Sequence, residues 1–107
     1  MRFPIILIDG KYDITYHKEL NIRLELQDIE DDYIVAYDSD GHRLDWDIHG
    51  RFEVTVKMPD VPADRSAELR ANLIDYLTKY KNKAEADLHG LALASIIAEV
   101  GKYVPWY

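Results

Sequence analysis

Three consecutive runs decide the fold class: Tyr33-Ile34-Val35-Ala36-Tyr37-Asp38, His42-Arg43-Leu44-Asp45-Trp46-Asp47-Ile48 and Phe52-Glu53-Val54-Thr55-Val56-Lys57-Met58. Apolar and polar residues alternate along each, the period-2 pattern of strands that bury one face. Between the first two, Asp38-Ser39-Asp40-Gly41 reads as a type I turn closed by a left-handed glycine. With Asp38 opposite His42, Ala36 faces Leu44 and Ile34 faces Trp46. The other side then carries Tyr33, Val35, Tyr37, Arg43, Asp45 and Asp47. Around His49-Gly50 a three-residue loop sets Ile48 against Phe52, Trp46 against Val54 and Leu44 against Val56. A two-residue loop would mix the faces.

Upstream, Phe3-Pro4-Ile5-Ile6-Leu7-Ile8 is apolar at nearly every position, as in a strand covered on both faces. Asp9-Gly10 suits a two-residue type I′ turn, which pairs Leu7 with Tyr12, Ile5 with Ile14 and Phe3 with Tyr16. Leu20 to Gln27 alternates without exception, a strand wet on one face, and Asp28 to Asp32 is a charged loop around Ile29.

Downstream, Pro59-Asp60-Val61-Pro62 marks a switch to a period of 3.6. Leu69, Leu73, Tyr76, Leu77 and Tyr80 fall on one helical stripe. Asn82-Lys83-Ala84-Glu85 reads as a capping box opening a second helix, which runs to about Val100 with Gly101 as its stop. Its part from Leu88 to Ala98 is apolar nearly all round. That predicts burial between layers, or a homodimer formed through the Leu88–Val100 helix. The tail Tyr103-Val104-Pro105-Trp106-Tyr107 is expected to pack on the sheet or at an interface. The expected architecture is one α+β domain. Residues 1–58 form an antiparallel meander of about six strands, 60–101 two helices packed on the sheet, and 102–107 an aromatic tail.

Composition narrows the function. A chain of 107 residues with 48% apolar content is ordinary for one globular domain. The absence of cysteine rules out disulfides, thiolate metal sites and a cysteine nucleophile. Neither a signal peptide nor a membrane span is legible, so a cytoplasmic protein is expected. The net charge of −7 is concentrated: Glu25 to Asp47 holds nine acids against Arg43 alone, a net of −8, and the remainder holds 11 acids and 12 bases. Such a field repels nucleic acid and anionic lipid and attracts basic proteins. It equally serves as a solubilising surface.

No residue pattern specifies catalysis or a cofactor. Asp45, Asp47 and His49 lie two apart on one strand face, with His42 nearby, but they read as a solvated face rather than a metal site. Asp38-x-Asp40-Gly41 lacks the acid at Ala36 and the flanking helices of a calcium loop. Ser39, Ser66 and Ser95 lack the glycine-flanked context of a nucleophile elbow. His89 sits on the apolar second helix and reads as a hydrogen-bonded structural residue. Tyr33, Val35 and Tyr37 share a side with Asp45 and Asp47. They are either anchors of a protein-binding surface or core beneath the helices, because periodicity does not say which face the helices take.

In its profile of size, acidity and missing motifs the chain resembles the small immunity proteins of bacterial toxin systems, and phage anti-CRISPR proteins are similar. The resemblance implies a non-enzymatic inhibitor without a cofactor. It would occlude the basic cleft of a toxic enzyme, such as a nuclease, with carboxylates and tyrosines. The contact residues it implies are Asp45, Asp47, Asp38, Asp40, Tyr33 and Tyr37, supported by Asp28, Glu30, Asp31 and Asp32. A different expectation is a small enzyme or ligand-binding domain with a cavity between sheet and helices, lined by His17, His89 or tyrosines.

Overall fold

The structure is a computed structural model that describes residues 1–10, 12–22, 24, 29, 33–50 and 54–107. Eight strands are seen among them: β1 (Ile5–Asp9), β2 (Asp13–His17), β3 (Asn21–Ile22), β4 (Ile34–Tyr37), β5 (His42–Arg43), β6 (Asp45–Ile48), β7 (Val54–Lys57) and β8 (Ala63–Asp64). Three helices follow, α1 (Ser66–Lys81), α2 (Glu85–His89) and α3 (Leu93–Val100). The eight strands precede these three helices and every pair among them is antiparallel, as the α+β expectation requires. The strands, however, divide between two sheets instead of one meander. A five-stranded sheet has the order β2-β1-β4-β5-β8, and a three-stranded sheet the order β3-β7-β6.

The five-stranded sheet is the middle of three layers. On one face Ile6, Ile8, Ile14, Tyr16 and Tyr37 meet Leu69, Leu73 and Leu77 of α1 and Ile96, Ile97 and Val100 of α3. On the other, Ile5, Leu7, Ile34, Ala36 and Leu44 meet Ile22 and Val56 of the smaller sheet. This explains why β1 is apolar without alternation. Its consecutive residues Ile5, Ile6, Leu7 and Ile8 are all at most 5% exposed, because both faces of the strand are covered.

Registers depart from expectation in instructive ways. The Asp38–Gly41 turn closes as predicted: Gly41 has φ +88° and donates to the Asp38 carbonyl at 3.1 Å, and Tyr37 pairs with Arg43. The ladder holds through Leu44, whose N–H reaches the Ala36 carbonyl, but Trp46 pairs with Val56 and not with Ile34. Past buried Leu44 the chain crosses from one sheet to the other, a strand corner of the kind that joins packed sheets. β6 pairs with β7 two residues out of the expected register, Trp46 against Val56 and Ile48 against Val54. An even shift leaves each residue on its expected face. The β1–β2 shift is odd. Ile8 pairs with Ile14 and Leu7 with Thr15, around a three-residue connection in place of a two-residue turn. That moves Ile14 and Tyr16 to the helix side and turns Thr15 and His17 the other way.

The helical half differs at Asn82. This residue ends α1 in the left-handed conformation, φ 54°, with its N–H on the Leu77 carbonyl, so it is a C-cap and not the expected N-cap. The predicted second helix is broken at Gly90–Ala92. Gly90 is a poor helix former, and the His89 carbonyl freed at the break accepts from Arg70 Nη2 of α1 at 2.8 Å. The two short helices bury Leu88, Ile96, Ile97 and Val100 inside the domain and leave Leu91, Ala94 and Ala98 exposed. The residues between 88 and 98 are thus not buried all round. The tail joins the sheet as an extra parallel edge beside β2. Tyr16 N–H donates to the Pro105 carbonyl at 3.0 Å, Tyr107 N–H to the Tyr16 carbonyl at 2.8 Å, and Lys18 N–H to the Tyr107 carbonyl at 2.8 Å. Among the described residues no helix is long and apolar enough to cross a membrane.

Candidate functional site

The outer sheet presents the acidic strand. In its ladder Asp45 lies opposite Lys57, and Thr55 is flanked by Asp47 on one side and Asn21 on the other. Directly opposed residues share a face, so these five form the solvent side, while Trp46 and Val56 pack inward. Asp45 is exposed and, although Lys57 stands opposite, forms no ion pair among the described residues. The Asp47 side chain is half exposed, with Oδ2 3.6 Å from Nε2 of His49, and that ring nitrogen lies 3.0 Å from Thr55 Oγ1. β6 is the last strand of its sheet, and Ile48 at its end is half exposed.

The other anticipated contact residues do not join it. Tyr37 is only 1% exposed: it belongs to the helix-side core and its hydroxyl donates to Glu68 Oε2 of α1 at 2.8 Å. The helices therefore take the tyrosine face, which corrects its reading as an exposed anchor. Asp38 is 0% exposed. One carboxylate oxygen accepts the backbone N–H groups of Asp40 at 3.0 Å and His42 at 2.9 Å, and the other lies 3.1 Å from His42 Nδ1. It is a turn brace, not a contact residue. Asp40 is accessible but paired with Arg2 Nε at 3.1 Å. Tyr33 is exposed at the far end of β4, where its carbonyl accepts from Gly10. Asp28, Glu30, Asp31 and Asp32 lie outside the described residues.

The histidines and acids weighed for a metal separate in the same way. His42 stays with Asp38 and Asp40, whose ligand atoms all lie within 4.8 Å of one another, while Asp47 and His49 sit on the other sheet. In the first group the buried carboxylate already serves its own turn. His89 is exposed rather than buried and pairs with Glu85 one turn earlier, at 3.1 Å.

A cleft of about 500 Å³ opens between β1–β2 and the β3 segment, lined by Leu7, Asp9, Asp13, Thr15, His17, Asn21, Ile22, Leu24 and Tyr107. It lies on the sheet face opposite the helices; a second cleft of about 500 Å³ lies beside α3, between Leu93, Ile97 and the Phe3-Pro4 and Ser39-Asp40 segments, but none of the expected histidines or tyrosines lines it. His17 does line the first cleft. The imidazole is 9% exposed, its Nε2 lies 2.8 Å from Thr15 Oγ1, and its ring stacks on Tyr107 at 5.3 Å. Burial pushes its pKa below the ordinary value of 6.5. Thr15, Asn21 and Tyr107 carry no signal in the sequence. Only the three-residue shift of β2 and the return of the tail bring them together.

No protein-family model, curated protein or solved structure matches the chain.

Proposed function

We propose that the protein is a small acidic protein-binding inhibitor of the immunity type, which neutralises a toxic enzyme by laying its outer sheet against a basic cleft. A nuclease is the enzyme class whose cationic, phosphate-binding surface best matches this charge. The observation that carries the proposal is the placement of Asp45 and Asp47 on the solvent face of β6, an edge strand, where Asp45 is exposed and, although opposite Lys57 in the ladder, forms no ion pair among the described residues. The contact surface is narrower than the carboxylate and tyrosine patch the sequence suggested: it consists of Asp45, Asp47, Ile48 and the strand edge itself. An edge strand offers unpaired backbone groups for strand addition, and its charges steer a cationic partner into register. The chain's net charge of −7 adds long-range attraction.

Charged edge residues also guard sheets against self-association, and a purely protective role is the competing outcome. Wild-type protein and the Asp45→Asn/Asp47→Asn double variant, each immobilised, should be exposed to the same native lysate. The enzyme retained by the wild type is then purified and assayed. The expected result is inhibition of that enzyme, with association slowed about tenfold by the double substitution and further by added salt. Equal association rates for both proteins, or a bound enzyme that keeps its activity, would overturn the proposal.

A further inference from the structure

The cleft beside β2 stands apart from the acidic strand, because β3 and β6 occupy opposite edges of the outer sheet. Its volume of about 500 Å³ is that of a small-molecule site. Its floor is apolar: Leu7 and Ile22 are 5% and 3% exposed, and Leu24 and the Tyr107 ring extend it. Its polar groups stand at both ends. At one end Asp9 and Asp13 are direct cross-strand partners, an arrangement of like charges that costs stability unless a cation lies between or beside them. Asp9 has a partner within the chain, whereas Asp13 is exposed and pairs with no cation among the described residues.

At the other end stands His17, more than nine-tenths buried. Its Nε2 is committed to Thr15, and its Nδ1 has no protein partner among the described residues and is not sealed from solvent. Burial disfavours the charged imidazole, so His17 places no positive charge against a cation. Asp13 and His17 are four positions apart along the strand, about 13 Å. A ligand that suits this site is donor-rich at its head and apolar in its body. Anions meet two carboxylates at the mouth and are excluded.

We infer that the cleft binds a small organic cation, an ammonium group on an apolar body, with the carboxylates of Asp13 and Asp9 receiving the charged head and Leu7, Ile22, Leu24 and Tyr107 covering the body. The buried His17 lines the same space at its inner end.

Three probes of one shape test this: 2-phenylethylammonium, neutral 2-phenylethanol and anionic 3-phenylpropionate. Each is titrated into the intact protein by calorimetry, with amide shifts followed by NMR. The ammonium should bind in the millimolar range or tighter, shifting the amides of Thr15, His17 and Asn21. The neutral probe should bind at least about tenfold more weakly, the loss of one charge-assisted hydrogen bond, and the anion not measurably. Asp13→Asn, at an exposed position, should weaken the ammonium by a similar factor, while Asp45→Asn leaves it unchanged. Equal binding of all three probes, no binding of the ammonium at millimolar concentrations, or shifts confined to the Asp45–Asp47 strand would each overturn the assignment. Failure here leaves the outer-sheet proposal standing, since that surface is read by a different partner and a different variant.

Discussion

Asp38 and Asp45 are seven residues apart in an acidic segment, yet they have opposite physical roles. The Asp38 carboxylate is buried and answers two backbone N–H groups and the His42 ring, so Asp38→Ala strips a turn of its acceptors. It should lower unfolding free energy by roughly 2–4 kcal/mol in denaturant titration. Asp45→Asn, changing a solvated carboxylate, should leave the unfolding midpoint where it was; similar losses for both would contradict this division. His17 makes a separate prediction about pH. Its folded pKa is depressed by burial below 6.5, so the unfolded chain takes up a proton first as pH falls. The stabilisation is therefore full above about pH 6.5 and is lost as pH drops through that value toward the folded pKa. His17→Gln removes this share of the acid-side loss. Unfolding midpoints measured between about pH 7 and 5 should fall less steeply for the variant, and parallel curves would show that the imidazole does not titrate as described. Turn chemistry and periodicity place Asp38 at a turn and Asp45 on a strand, but not their burial, which depends on what packs above them.

At the scale of elements, the tail is the least expected piece. Its aromatic content predicted a packed segment, and it packs: the indole of Trp106 meets the Tyr16 ring edge-on at 5.1 Å and donates to the Gly101 carbonyl at 2.8 Å. Its backbone pairing with β2, however, is written in no residue pattern, because a parallel partner so distant in sequence has no turn to announce it. Deleting residues 105–107 should cost about 2–4 kcal/mol, from three backbone hydrogen bonds and the aromatic contacts. The sharper readout is amide exchange. Protection at Tyr16 and Lys18 should collapse in the truncated chain, and retained protection would mean the pairing is not what shields them. The helix break at Gly90–Ala92 was equally hidden. An apolar run fits one long helix or two short ones, and at the break Arg70 reaches across from α1 to the His89 carbonyl.

For the whole molecule, the layering decides which residues can act. The sequence by itself determined the α+β class, the strands-then-helices order, the Asp38–Gly41 hairpin turn, and the coverage of β1 on both faces. These follow from local periodicity, glycine conformation and runs of apolar residues. The even register slip between β6 and β7 did no damage, so Asp45 and Asp47 stand on the solvent face as their alternation implied. Only the tertiary structure decided the rest: that the strands divide between two sheets, that the helices lie over Tyr37, and that Thr15, His17, Asn21 and Tyr107 line one cleft. The physical reason is that alternation gives each strand a buried face without naming the layer that buries it. An amphipathic strand is satisfied equally by a helix or by a second sheet, and the choice falls to how the whole chain removes the most apolar surface from water.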